Sequence, residues 1–234
     1  MRQKEISASA STLEAVIFDL DGTLIDSERR YEQADIDFLE RHGVTADAEY
    51  LRRFRGMGNI PFLLELKRAH AIPGSVEELL EEKDQLYLSR GAEGVHAFPE
   101  MVSLVVKLRE RGVPLAVASG STRHIIEFML DHFGLRQLFQ VVVSADETGT
   151  GKPDPAVFVE AARRLGTTPK FCVVVEDTAL GVEAASRAGM RSVAVPSLPE
   201  ESAHQGFQEA DLLFERGMEE FSAKHVLQWL GLEE

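Results

Sequence analysis

Val16-Ile17-Phe18-Asp19-Leu20-Asp21-Gly22-Thr23 is the stretch on which the reading of the fold depends. Its apolar, β-branched start predicts a buried strand, and that strand ends in two carboxylates two residues apart. Gly22, lacking a Cβ, lets the chain leave the strand end at a sharp angle. In extended backbone, residues two apart point the same way, so Asp19 and Asp21 can share a face unless the turn swings Asp21 aside. Like charges this close are costly without a cation, a proton or hydrogen-bond donors among them. The plain alternative is a strand running into a solvated acidic turn, and the rest of the chain must decide.

Downstream, Asp26 or Ser27 can cap a helix from Glu28, with Tyr31, Ala34, Phe38 and Leu39 at helical spacing and Gly43 as its stop. Residues 46–54, 61–70 and 76–89 read as further amphipathic helices. Four helices with no intervening strand predict a separate small bundle. The pattern then changes. Strands over 113–118, 139–144, 171–175 and 192–195 alternate with helices, followed by a weaker run at 210–214, expected as an edge strand, and a terminal helix over 218–230. Continuous apolar strands between helices predict a parallel sheet covered on both faces. The expected divisions are a disordered leader over 1–12, a core of 13–27 and 95–234, and an inserted helical cap over 28–94, on linkers near 24–27 and 94–98.

The 234 residues suffice for one substantial core or a core with a satellite, and 44% hydrophobic with 27% charged residues is ordinary for a soluble protein. A formal net charge of −14 argues against nucleic acid or an anionic membrane surface as partner. An anionic substrate must therefore be drawn in by local positive groups. The single cysteine, Cys172, lies in an apolar run and reads as a core residue in a reducing, cytoplasmic setting. No apolar run approaches the roughly 20 residues that span a bilayer. Residue types leave the oligomeric state open, and a monomer satisfies them.

Ligands of an open parallel sheet bind at the carboxyl ends of its strands. Those ends carry Asp19 and Asp21, then Ser119-Gly120-Ser121, then Gly151-Lys152-Pro153-Asp154-Pro155, then Glu176-Asp177-Thr178. Each has a bland explanation: Ser119, Ser121, Asp177 or Thr178 can cap the next helix, and Lys152 can be an ordinary loop lysine. Taken singly these suffice, but they do not explain why one edge gathers the groups that phosphoryl transfer needs. Such chemistry is mostly positioning and electrostatic stabilisation. Three carboxylates suit Mg²⁺, Lys152 adds positive charge, and Ser119 with the backbone N–H groups after Gly120 and Gly22 can hold phosphate oxygens.

With these residues in place the chain resembles the haloacid dehalogenase superfamily, in its helical-cap phosphatase and β-phosphoglucomutase-like branch. All four motifs of that family are matched in order over about 16–189: Asp19-Leu20-Asp21-Gly22-Thr23, Ser119, Lys152 in Gly-Lys-Pro-Asp-Pro, and Glu176-Asp177. The resemblance implies a Rossmann-like α/β core with an all-helical cap. It implies Asp19 as nucleophile forming an aspartyl-phosphate, and Asp21 as the proton carrier. Ser119, Gly120 and Lys152 would hold the phosphoryl group. Mg²⁺ would be bound by Asp19, Asp177, the backbone carbonyl of Asp21, and Glu176 directly or through water.

The expected activity is hydrolysis of a small phosphorylated metabolite resembling a sugar or polyol phosphate. Dehalogenases lack an acid matching Asp21. Hexose phosphomutases match Lys83, but carry a Ser-Arg pair where this chain has Gly58-Asn59, and that arginine grips their second phosphate. Arg52, Arg53, Arg55 and Lys83 are candidate substrate contacts, against a solvated charged face as the commoner role. Arg55, beside Gly56, is the first of these to test. Tyr31 lies near the hinge and can also reach the site, with cap packing as its simpler role. From other classes, a phospho-receiver has its lysine after both acidic pairs, unlike Lys152, and a silent binding protein would not need every chemical position filled.

Overall fold

The structure is a computed structural model and describes residues 1–3, 13–54 and 57–232. In chain order the strands are β1 (Arg2–Gln3), β2 (Ala15–Phe18), β3 (Ile25–Asp26), β4 (His96–Ala97), β5 (Leu115–Ser119), β6 (Val141–Ser144), β7 (Cys172–Glu176), β8 (Arg191–Ala194) and β9 (Leu212–Leu213). The helices are α1 (Glu28–Arg41), α2 (Ala48–Arg52), α3 (Asn59–His70), α4 (Val76–Ser89), α5 (Pro99–Glu110), α6 (Arg123–His132), α7 (Ala156–Leu165), α8 (Ala179–Arg187) and α9 (Ala223–Trp229).

The main sheet runs β1-β9-β8-β7-β2-β5-β6 and is parallel from β9 to β6. β2 lies between β5 and β7, with Phe18 opposite Val117 on one side and Val175 on the other. That central place explains its unbroken apolar run, because both faces are covered. Val16 and Phe18 pack toward α5, α6 and α9, while Ala15 and Ile17 pack toward α7 and α8.

One edge differs from expectation. Arg2–Gln3, read from sequence as leader, pairs antiparallel with β9, so β9 is not the edge. The expected strand over 210–214 contracts to two residues, although Ala210 and Phe214 are buried beside it. Polar residues can serve a sheet edge because pairing there needs backbone groups rather than apolar side chains. The leader reading of 4–12 lies outside the described residues.

Between β2 and β5 the chain makes the helical insert. Helices α1 to α4 enclose their own cluster, including Phe38, Leu51, Phe62, Leu63 and Leu79. Asp47 caps α2 through Tyr50 N–H (2.8 Å), and Ser75 with Glu78 forms a capping box at α4. Helix α3 starts at Asn59, ahead of the expected Pro61, since proline is tolerated in a first helical turn. The two crossings between insert and core are stitched together. β3 and β4 form an antiparallel ribbon, Ile25 opposite Ala97 and Asp26 opposite His96. Beside this hinge, Ala34 of α1 and Tyr87 of α4 join the main core rather than the insert's own cluster.

Candidate active site

Just after β2, the chain folds back on itself. Asp19 N–H bonds Val175 C=O (3.0 Å), Leu20 C=O accepts from Leu24 and Ile25, and Gly22 N–H bonds Ile25 C=O (2.8 Å). Gly22 sits at φ +78°, and a Cβ there would lie 2.3 Å from Asp177 Oδ2, so conformation and space both require glycine. This turn settles the geometry that spacing left open. Asp19 faces Lys152, whereas Asp21 faces a set of hydroxyls.

On the Asp19 side, Lys152 Nζ donates to Asp19 Oδ1 (2.6 Å) and Glu176 Oε2 (2.7 Å), all three side chains being buried. The other oxygen of Glu176, Oε1, accepts from Thr178 N–H (3.1 Å) and Thr178 Oγ1 (2.6 Å). Gly181 makes room for this carboxylate, since a Cβ there would fall 2.0 Å from its Cδ. Asp177 Oδ1 accepts from Thr23 Oγ1 (3.2 Å), while its buried Oδ2 has no hydrogen-bond partner among the described residues. Asp19, Glu176 and Asp177 each offer a carboxylate oxygen within 4.8 Å of the others.

The electrostatics follow from the crowding of buried charged side chains. Burial, opposed by Lys152 and reinforced by Glu176 and Asp21, pushes the Asp19 carboxyl well above its usual range. Burial, then the charges of Glu176, Glu28 and Asp19, do the same to Asp177. Burial works against the Lys152 ammonium, but Asp19 and Glu176 outweigh it and hold it charged. An all-oxygen cluster with one orphaned carboxylate oxygen fits a hard divalent cation. The three side chains that could hold it are Asp19, Asp177 and Glu176. Asp21 keeps its side chain apart, and no described donor bonds its backbone carbonyl.

Around Asp21 lies a different environment. Ser27 Oγ donates to Oδ1 (2.6 Å); Ser121 Oγ (2.6 Å) and Ser119 Oγ (3.4 Å) donate to Oδ2. Burial still raises this carboxyl, against the lowering by Ser121, Ser27 and Ser119. Neither Ser27 nor the Ser119/Ser121 pair caps the helix that follows it. Thr178, by contrast, does cap α8, through Gly181 N–H (3.1 Å).

The insert closes over this edge. Asn59 Nδ2 donates to Gly120 C=O (3.3 Å), and a Cβ on Gly120 would lie 3.2 Å from Gly58 Cα. A Cβ on Gly151 would lie 2.0 Å from Met57 O and 3.1 Å from Pro61 Cγ. Insert and core thus meet backbone to backbone at two core glycines. Beneath is a cavity of about 230 Å³ reaching from the carboxylates to Tyr31, Asp35, Arg52, Asn59 and Lys83.

Lys83 lines that cavity with its charge already faced by Asp35 (2.9 Å), and it also donates to Asn59 Oδ1 (3.0 Å). Of the other cap cations read from sequence, Arg52 lines the cavity, Arg53 packs on the rings of Tyr50 and Phe54, and Arg55 lies outside the described residues. Tyr31 does more than pack, because its hydroxyl is 2.5 Å from Ser121 Oγ. Sequence reading did not assign Thr23, Ser27 or Asn59 a place in the site. Thr23 had a signal in its position two residues after Asp21, within the same motif, whereas Ser27 looked like a helix cap.

A family model for a haloacid dehalogenase-like hydrolase matches residues 13–189, and the chain belongs to that family. It is 34% identical over 188 residues to the bifunctional riboflavin kinase/FMN phosphatase of Arabidopsis thaliana, covering 80% of this chain and 49% of that one. The chain thus spans about half the length of that relative, and 18% of another from the same plant. It is 32% identical over 216 residues to hexitol phosphatase B of Escherichia coli K12, covering 91% of this chain and 96% of that one. Among solved structures, a β-phosphoglucomutase from Clostridium difficile superposes with a TM-score of 0.80 at 22% identity, covering 94% of this chain and 98% of that one. That last likeness speaks for the shared fold.

Proposed function

We propose that this chain is a Mg²⁺-dependent phosphatase that hydrolyses a small phosphomonoester with a polyol or sugar leaving group, through an aspartyl-phosphate on Asp19. The observation that carries this reading is the division of two neighbouring carboxylates into two environments. Asp19 is set beside the ammonium of Lys152 and the acidic cluster, while Asp21 is held by hydroxyls. Paired carboxyls kept in different surroundings are suited to different roles.

In the first half-reaction a carboxylate oxygen of Asp19 attacks phosphorus as the bond to the leaving oxygen breaks. Lys152 offsets the negative charge gathering on the phosphoryl oxygens, and Asp21 delivers a proton to the leaving alkoxide. In the second, Asp21 takes a proton from the water that cleaves the aspartyl-phosphate. Glu176 touches none of the reacting atoms in this account; it holds Lys152 in place through a second bond to the ammonium. Bound among Asp19, Asp177 and Glu176, with the Asp21 carbonyl as a further ligand, Mg²⁺ would supply charge that lets an anionic nucleophile meet an anionic phosphate.

The cavity's size favours a small leaving group. Its 230 Å³ falls below the roughly 300–1,000 Å³ of pockets for drug-sized ligands, which supports a polyol or sugar over a flavin. A hexose phosphomutase would share the first half-reaction but must also hold a second phosphate. Asn59, where those enzymes place an arginine, and the pairing of Lys83 with Asp35 weigh against that. The lone buried cysteine supports a reducing, cytoplasmic setting.

The test is phosphate release across hexitol and hexose monophosphates, with Mg²⁺ and with chelator. Chelator-sensitive release is expected. Conversion of glucose 1-phosphate without phosphate release, dependent on its bisphosphate, would replace this reading with the mutase.

A further inference from the structure

The insert side of the cavity is acidic, although the proposed substrate is an anion. Glu28, Glu32 and Asp35 stand at i, i+4 and i+7 on one face of α1, and all three line the cavity. Among the described residues, the insert cations that line it are Arg52 and Lys83. Arg52 is exposed, so solvent screens its charge. Lys83 has 4% of its side chain exposed, so its charge acts with little screening.

Lys83 does not offer that charge freely. Its ammonium stands 2.9 Å from Asp35 Oδ1, donates to Asn59 Oδ1 (3.0 Å), and lies 5.1 Å from the ring centre of Tyr31 and 5.4 Å from that of Phe62. The ion pair leaves Asp35 incompletely satisfied. Its Oδ1 is buried yet has no hydrogen-bond partner among the described residues, because the ammonium approaches it off the hydrogen-bonding direction. Burial raises this carboxyl, and the charge of Lys83 works against that. A buried carboxylate oxygen without a donor is costly, and a ligand hydroxyl can supply the donor.

We propose that Asp35 is a specificity-determining residue: it accepts a hydrogen bond from a hydroxyl of the leaving group and cancels the charge of Lys83, so that the cavity takes an uncharged polyol and refuses a leaving group bearing a second phosphate. The proposal rests on the phosphatase reading above and narrows its substrates. The hydroxyl contact follows from the orphaned oxygen, and the refusal follows from the ion pair. An anionic group arriving beside Lys83 meets Asp35 at the same time, on a helix face that also carries Glu28 and Glu32.

The test compares phosphate release from mannitol 1-phosphate and mannitol 1,6-bisphosphate by the Mg²⁺-loaded protein, with p-nitrophenyl phosphate as a leaving group that has neither hydroxyl nor second phosphate. The unaltered protein is expected to show a kcat/KM at least about tenfold higher on the monophosphate than on the bisphosphate. Equal or higher kcat/KM on the bisphosphate would overturn the proposal before any variant is made. Asp35→Asn keeps the size and removes the charge. It is expected to lower kcat/KM on the monophosphate about tenfold, the order of a hydrogen bond to a charged group, and to raise it about tenfold on the bisphosphate as Lys83 becomes available. Asp35→Glu keeps the charge and should hold the ratio of the two within about threefold of the parent's. Loss of folded protein lowers both substrates alike and leaves their ratio unmoved. An unmoved ratio in Asp35→Asn would therefore return Asp35 to balancing a buried lysine, and an equal shift in Asp35→Glu would overturn the charge argument. Turnover of p-nitrophenyl phosphate with neither mannitol ester accepted would also overturn the proposal. No phosphate release from any of the three would instead remove the phosphatase reading and this proposal with it.

Discussion

Replacing Gly151 by alanine isolates the closure of the insert from the stability of the fold. Gly151 is not in the left-handed region, so alanine is acceptable to the backbone itself. The conflict is with the insert alone: the new methyl would lie 2.0 Å from Met57 O and 3.1 Å from Pro61 Cγ. Real side chains do not approach closer than 3.0 Å, so the insert tip must stand off by about 1 Å. Nothing in the sheet needs to move for this. A misplacement of 1 Å at a catalytic constellation costs on the order of 10²-fold in rate, or about 2.7 kcal/mol in barrier. Gly151→Ala is accordingly expected to lose about a hundredfold in kcat/KM on a hexitol phosphate while its Tm stays within about 2 °C of the parent. The assay is phosphate release with Mg²⁺, paired with thermal melting by circular dichroism. A kcat/KM within about twofold of the parent at unchanged Tm would refute the argument that this backbone contact seats the insert.

Two further expectations concern carboxyls. Asp177→Asn removes the charge of the orphaned oxygen, so the upward shift in Tm that Mg²⁺ gives the parent should shrink and its midpoint should rise at least about tenfold; an unchanged Mg²⁺ titration would dismiss Asp177 as a ligand. Burial, then the nearby charge of Asp84, raises the Asp146 carboxyl to about 6. A raised carboxyl leaves stability intact below the ordinary value near 3.8 and erodes it as pH climbs through about 6. The full shift is worth about 3 kcal/mol, reduced to about 1 because the group is partly exposed. Asp146→Asn should therefore melt about 2–4 °C higher than the parent at pH 8 and equally at pH 4, and an equal offset at both would contradict this origin.

Much of the site could be read before the fold was known, because its chemistry is attached to strand ends. The apolar runs of β2, β5 and β7 are buried on both faces, and such runs announce themselves in any order of reading. Asp19, Ser119, Lys152 and Glu176 follow at or near their ends, so placing the strands also places these side chains at one edge. Arg2–Gln3 escaped because an edge strand pairs through backbone groups, which carry no residue signature. Ser27 escaped for a related reason: a serine ahead of a helix has the same appearance whether it caps the helix or, as here, turns back to a carboxylate six residues earlier.

The residues by themselves determined an edge of acidic, hydroxyl and lysine side chains on a parallel sheet and a helical insert above it, since strand runs and helical period place both. Tertiary structure alone decided how the two aspartates part company. The turn at Gly22 sends the two side chains apart, and their partners Lys152, Glu176 and Ser121 come from segments far away in the chain. It also decided that the insert meets the core at Gly120 and Gly151, with Asn59 and Tyr31 reaching across. Contacts of this kind depend on distances between elements, and no local period or spacing encodes a distance.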